Sequence, residues 1–148
     1  MNWFLREAKK SDRQQIEALF LEMLRTIYQK EDVIGYQNGD LDRFFSGGEN
    51  RIFVAQCDEK VVAFLSIEVY RLPDLAYLYL DDFSVSAPYR GQGIGTQLLK
   101  TAEQYAQTLE IGKIVLHVEK SNTSARRLYE RFGYQIMKDE GHRYRMIK

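Results

Sequence analysis

Phe83-Ser84-Val85-Ser86-Ala87-Pro88-Tyr89-Arg90-Gly91-Gln92-Gly93-Ile94-Gly95-Thr96 is the stretch on which the fold turns. A β-rich run ends in three alternate glycines, and a helical pattern follows. Missing side chains let a ligand come close to the backbone. Free N–H groups at a helix start, together with the helix dipole, attract an anion. Arg90 adds a charged donor suited to phosphate. A plain glycine turn between strand and helix uses the same residues. The run Arg-Gly-x-Gly-x-Gly at this junction favours phosphate binding.

Two familiar phosphate loops do not fit. The dinucleotide fingerprint G-x-G-x-x-G would end on Ile94 if begun at Gly91, and on Leu98 if begun at Gly93. The P-loop ends in Gly-Lys-Ser/Thr, whereas Gly95 is followed directly by Thr96. Neither a nicotinamide cofactor nor ATP is favoured.

Upstream, Trp3–Glu7 reads as a short strand. Ser11 reads as an N-cap with Gln14 closing a capping box. Ile16, Leu19, Phe20, Met23, Leu24 and Ile27 recur at helical spacing, which predicts an amphipathic helix over 12–28. Residues 30–50 carry four glycines and no long period, so they read as a loop with a short helix at Asp40–Phe45. Ile52–Cys57, Val61–Tyr70 and Ala76–Val85 are β-rich, separated by turns at Asp58-Glu59-Lys60 and Leu72-Pro73-Asp74. They predict an antiparallel meander.

Downstream, a helix opened by Gly95 carries Leu98, Leu99, Ala102, Ala106 and Leu109 on one face. Ile114–Val118 is an apolar strand. Ser124–Phe132 is a helix stopped by Gly133. Tyr134–Met137 and Arg143–Ile147 form a closing strand pair. The order predicts one mixed α/β (α+β) domain over residues 1–148.

Composition narrows the function classes. The chain has 148 residues, 45% hydrophobic and 28% charged, enough for a core and a soluble surface. With 19 aromatic residues, intrinsic disorder is disfavoured. No apolar run reaches the ~18 residues of a membrane span, and the N-terminal residues lack a signal-peptide pattern. Cys57 is the only cysteine, which leaves no intramolecular disulfide and no cysteine-based zinc site. These features predict a cytoplasmic protein with no membrane partner. Lys plus Arg (21) equals Asp plus Glu (21), so no basic excess points to nucleic acid. The balance is uneven along the chain: residues 1–88 carry 10 bases and 15 acids, residues 89–148 carry 11 and 6. Ordinary fluctuation gives such a split; so does an anionic ligand on the C-terminal part with a cationic one on the N-terminal part.

At this point the chain resembles the GNAT family of N-acetyltransferases. Arg90-Gly91-Gln92-Gly93-Ile94-Gly95 matches its R/Q-x-x-G-x-G/A signature. Asn122-Thr123-Ser124-Ala125-Arg126-Arg127-Leu128-Tyr129-Glu130-Arg131-Phe132-Gly133-Tyr134 is similar to its N-x-x-A-x-x-x-Y-x-x-x-G-F motif, with Tyr134 in the final position. Leu5-Arg6-x-Ala8-x-x-x-Asp12 resembles the usual opening.

The resemblance implies a mostly antiparallel mixed sheet flanked by helices, with a splayed central strand pair. It implies acetyl-CoA as co-substrate and no metal. Arg90, Gly91, Gln92, Gly93, Ile94, Gly95 and Thr96 would hold the pyrophosphate, and Phe83 and Val85 would pair by backbone with the pantetheine arm. Asn122 would contact that arm, or simply cap a helix. Tyr129 would protonate the departing thiolate, or simply fill core; its ordinary pKa of ~10 keeps it a proton donor.

A base must take a proton from the attacking amine. Asp81 is one candidate, sharing a face with Phe83 and Val85 by strict alternation; it also suits anchoring a cationic acceptor. His117 is another, where protein N-terminal members often place a glutamate. Glu119 lies on the same strand face as His117. Tyr79 stands where histone-type members carry their glutamate base, so that version of the mechanism is not expected.

The acceptor is expected to be a cationic amine or peptide N-terminus. Residues 31–50 hold Glu31, Asp32, Asp40, Asp42 and Glu49 against Arg43 alone, which suits a cation or merely a solvated loop. Tyr36, Phe44, Phe45, Tyr70 and Tyr77 could wall such a site. The competing class is a non-catalytic acyl-CoA-binding sensor. A homodimer through the C-terminal strands is the expected assembly.

Overall fold

The computed structural model describes residues 2–148. Among the described residues, seven strands and three α-helices follow in the order β1 Trp3–Glu7, α1 Arg13–Tyr28, β2 Arg51–Cys57, β3 Lys60–Leu72, β4 Leu75–Val85, α2 Ile94–Thr108, β5 Ile114–Glu119, α3 Thr123–Arg131, β6 Gln135–Asp139 and β7 Arg143–Ile147. They build one sheet in the order β1-β2-β3-β4-β5-β7-β6. Every neighbouring pair is antiparallel except β4 and β5. None of the described helices is long and apolar enough to cross a membrane.

Alternation along β3 divides the core. Ala63, Leu65 and Ile67 join the cluster that includes Leu98, Leu99 and Ala102 of α2, while Phe64 joins Ile16 and Leu19 of α1. Each fully buried leucine in these clusters contributes about 1.5–3 kcal/mol. α1 therefore covers one face and α2 the other, which fixes β4 and β5 in the centre of the sheet.

The parallel pair is short. Leu78, Leu80 and their neighbour Tyr79 are matched to Ile114, Leu116 and Val115, and the pairing then ends. From Asp81 onward β4 has an open edge towards β5. This is the splayed pair expected from the family resemblance.

β4 also carries a bulge. Ile67 faces Leu80 but Leu65 faces Phe83, so Asp81 and Asp82 together oppose Ser66. The extra residue reverses the alternation. Leu80 and Phe83 both turn towards the α2 side, and Asp81 does not share their face. The period-2 expectation for Asp81 is thereby corrected.

The helix starts also differ from the sequence pattern. α1 begins at Arg13, after a 3-10 turn at Lys10–Asp12, and Ser11 with Gln14 forms no capping box. Asp12 takes that place instead. Its carboxylate accepts the Lys9 N–H at 2.7 Å and is held by two Arg6 nitrogens at 2.7 and 2.9 Å. α2 begins one residue before Gly95, with Gly93 in the left-handed region at φ 85°.

Candidate active site

A cavity of about 1020 Å³ opens where β4 and β5 part. Its walls come from the C-terminal half of α1, β4 from Tyr79 to Val85, the glycine turn, β5 at His117–Glu119, and α3. The volume lies at the upper end of small-molecule sites.

The three glycines of the turn serve different ends. Gly91 and Gly93 have φ of 78° and 85°, where an L side chain is strained, and a Cβ on either would meet nothing within 4 Å. Gly95 has ordinary helical geometry. A Cβ there would sit 3.3 Å from Phe83 Cζ and 3.6 Å from Leu128 Cδ2. The first two glycines shape the loop and leave space in front of it; the third lets α2 approach β4 and α3.

The first helical bond of α2 runs from the Gln97 N–H to the Gly93 carbonyl at 3.1 Å. Among the described residues, the N–H groups from Gly91 to Thr96 have no acceptor. Six unpartnered donors around an open space at a helix start form an anion seat. The fit to a pyrophosphate is therefore good. Arg90 is drawn partly inward: its Nε donates to the Val85 carbonyl at 2.9 Å. It fastens the turn to the end of β4. Arg127 and Arg131, one turn apart on α3, also line the cavity; the sequence reading did not single them out.

Asn122 caps α3, its side-chain oxygen accepting the Ala125 N–H at 3.4 Å, and it lines the same cavity. Both sequence alternatives for Asn122 remain compatible with that position, because only the oxygen is engaged. Tyr129 is 5% exposed and packs between Phe83 and Tyr134, with ring centroids at 6.2 and 5.8 Å. It too lines the cavity. Burial raises its pKa, and Tyr79 and Asp82 add to the rise. The phenol thus stays protonated at neutral pH.

His117 does not stand alone. Its Nδ1 lies 2.6 Å from the Tyr79 hydroxyl. Burial lowers its pKa, with Arg143 and Arg145 adding to the fall and Glu140 opposing it. The imidazole is therefore neutral at pH 7. Tyr79, which the sequence offered only as the absence of a glutamate, is the partner of this histidine. Glu119 lines the same cavity and lies 2.9 Å from His142 Nδ1.

Asp81 and Asp82 sit in the bulge on the α1 side. Arg43 reaches Asp81 at 3.2 Å and Glu68 at 3.5 Å. Tyr36 donates its hydroxyl to Asp82 and stacks on Phe20 at 4.0 Å. Burial lifts the Asp81 carboxyl to about 7, helped by Asp82 and Glu68. Burial also raises Asp82, against the Tyr36 hydrogen bond and Arg43.

Four of the five loop acids are spent elsewhere. Asp42 pairs with Arg13, Glu49 with Arg71 and Glu31 with Arg25, while Asp40 accepts the Gln37 N–H. The carboxylates that do gather by the site are Asp81, Asp82 and Glu68, from β4 and β3. Of the expected aromatic wall, Phe44 is buried in the α1 core and Tyr70 stacks on Tyr77 at 5.0 Å.

The profile of the acetyltransferase (GNAT) family matches residues 21–134. An uncharacterized N-acetyltransferase of Methanocaldococcus jannaschii is 32% identical over 135 residues, covering 90% of this chain and 79% of its own. The spermine/spermidine N(1)-acetyltransferase of Bacillus subtilis is 37% identical over 60 residues, 40% of either chain. Among solved structures, Arabidopsis thaliana Naa50 in complex with the bisubstrate analogue CoA-Ac-MVNAL superposes with a TM-score of 0.78 at 21% identity. That match covers 100% of this chain and 99% of the other.

Proposed function

Because the chain belongs to the acetyltransferase (GNAT) family, we propose that it moves the acetyl group of acetyl-CoA to a primary amine by direct attack in a ternary complex. Membership makes it an acetyl-CoA-dependent acyltransferase. The acceptor is a small cationic amine or a peptide N-terminus. The observation that carries the assignment of residues is the Tyr79–His117 hydrogen bond, on a cavity that Tyr129 shares.

The turn from Arg90 to Thr96 seats the pyrophosphate through its unpartnered N–H groups. The open edge of β4 at Phe83 and Val85 receives the pantetheine arm as an added strand would. The thioester then lies at the splay, where a backbone N–H of β4 polarises its carbonyl. Holding amine and thioester together supplies much of the rate.

The amine nitrogen bonds to the carbonyl carbon and the carbon–sulfur bond breaks. The amine proton goes to the Tyr79 oxygen, directly or through one water, as the Tyr79 hydrogen moves to His117 Nδ1. Tyr129 gives its proton to the departing sulfur. Its raised pKa keeps that proton in place until negative charge develops.

The carboxylates of Asp81, Asp82 and Glu68 face a single guanidinium, Arg43. That excess of negative charge anchors a positively charged part of the acceptor, and it makes Asp81 an anchor rather than the base. Both acceptor classes have counterparts among relatives: one is named for spermine and spermidine, and another is solved with a peptide-bearing analogue.

Initial rates of free-thiol release test the assignment. Tyr79→Phe and His117→Asn should each lower kcat by ~10²-fold, the lower end of general acid–base contributions, with acetyl-CoA affinity unchanged. Full activity in both variants would move the base elsewhere.

A further inference from the structure

The base assignment leaves one question of proton placement. A neutral imidazole carries a single N–H, and His117 has possible partners at both nitrogens. Tyr79 lies at Nδ1, 2.6 Å away. At Nε2 there are two competitors, each at 3.3 Å: the Arg145 Nε, which only donates, and the Glu140 Oε1, which only accepts. If Arg145 wins, the imidazole proton sits on Nδ1 and His117 cannot take the Tyr79 hydrogen. If Glu140 wins, the proton sits on Nε2 and Nδ1 is free to accept.

Glu140 is built to win. It follows β6 directly, and its side chain is 15% exposed. Arg143 Nε holds Oε1 at 3.1 Å and Arg145 Nη2 holds Oε2 at 3.1 Å. Both arginines come from β7, whose register places Arg145 opposite His117 and Arg143 opposite Glu119. Two arginines fix the carboxylate, and with it the acceptor aimed at Nε2. The two contacts at Nε2 are equal in length and each has one ionised partner; Arg145 keeps its bond to Oε2 through Nη2 whichever way Nε2 is protonated, whereas the carboxylate is held at both oxygens. The arginines keep Glu140 ionised, below its ordinary range despite partial burial.

We propose that Glu140 is a positioning residue for this site: its Oε1 takes the His117 Nε2 proton and so keeps Nδ1 as the acceptor of the Tyr79 hydroxyl. The logic is that of a carboxylate orienting a histidine whose other nitrogen does the proton transfer. Glu140 touches neither substrate; it acts through His117. The inference rests on the base assignment above.

The charged groups facing the imidazole come from three elements. Tyr79 comes from β4, Arg143 and Arg145 from β7, and Glu140 from the end of β6. Of these only Glu140 stabilises the imidazolium. Its charge therefore also sets how strong a base His117 is.

The test is nitrogen-15 NMR of the imidazole in the intact protein, combined with rates of thiol release. The chain has two histidines, so a His142→Asn background leaves His117 as the only ring signal. The wild-type residue should carry its neutral-form proton on Nε2. Glu140→Ala should shift it to Nδ1, as Arg145 takes over Nε2, and kcat should fall by ~10²-fold with the KM for acetyl-CoA unchanged. Glu140→Gln keeps an acceptor oxygen without the charge. It should hold the Nε2 proton, lower the His117 pKa and move the acid limb of the rate profile to lower pH.

A wild-type proton on Nδ1 would overturn the proposal. So would a tautomer unchanged in Glu140→Ala, whatever the rate. A tautomer that shifts while kcat stays level would leave Glu140 orienting His117 but remove His117 from the reaction, which overturns the base assignment instead.

Discussion

Replacing Gly93 with alanine separates the conformational and the spatial demands on the turn. At φ 85° an added Cβ is strained, which costs roughly 1–2 kcal/mol. No atom lies within 4 Å of the new methyl, so overpacking adds nothing to that cost. For a domain of this size the melting temperature should fall by about 2–8 °C. The second effect is on ligand. The methyl enters the space before the unpartnered N–H groups, and losing one hydrogen bond to a charged group costs ~1.5–3 kcal/mol. Calorimetric titration should therefore show acetyl-CoA affinity weaker by at least ~10-fold. Gly93→Asn makes the distinction: asparagine tolerates the left-handed region, so much of the melting temperature should return while affinity stays weak. If Gly93→Ala melts with wild-type stability and binds acetyl-CoA normally, the reasoning about this turn is refuted.

Tyr129→Phe should bind acetyl-CoA as well as wild type and lose kcat by ~10²-fold, since only the proton donor is removed; stopped-flow thiol detection would read it. Asp81→Asn should raise the KM of cationic amines by ~10-fold and leave that of acetyl-CoA alone, one charge-assisted bond being worth ~1.5 kcal/mol. A docked cation favours ionised Asp81, whose carboxyl burial holds up to about 7. Acceptor affinity should thus strengthen as pH rises through about 7, and a KM series in pH would show it. Asp12→Ala should destabilise the fold by about 1–3 kcal/mol, because Asp12 is 7% exposed and the Arg6 donors it leaves unpaired are 21% exposed. The Asp12 carboxyl is depressed chiefly by its Arg6 hydrogen bonds. Its contribution is present above the ordinary carboxylate pKa of ~4 and is lost as pH falls through the depressed value. Urea melts at both pH extremes would check it.

The local features of this chain were legible from its sequence. The glycine turn, the α3 motif with Tyr129, the meander and the closing strands all rest on neighbours within a dozen residues. The bulge was not legible. Asp81 and Asp82 share Ser66 as their opposite number, and nothing in an alternating run announces that. The acidic patch was expected in the loop over 31–50, but four of its five acids are spent on Arg13, Arg25, Arg71 and a turn. Glu68 and Asp82 became site residues only because β3 and β4 pair. Tyr79 and His117 stand 38 residues apart, and Glu140 meets them through β7. Their signal was positional: two parallel strands parting at one splay, with Tyr79 in the last paired stretch of β4 and His117 just past the last paired residue of β5.

The most direct measurement is free-thiol release from acetyl-CoA by the purified protein, across a panel of polyamines and short peptides with free N-termini. Amine-dependent release with acetylated amine as product, slowed at sub-saturating acetyl-CoA in Gly93→Ala and strongly slowed in Tyr129→Phe, is the result expected here. Thiol release of equal rate in wild type and both variants would contradict the site described. So would failure of the wild-type protein to bind acetyl-CoA at all.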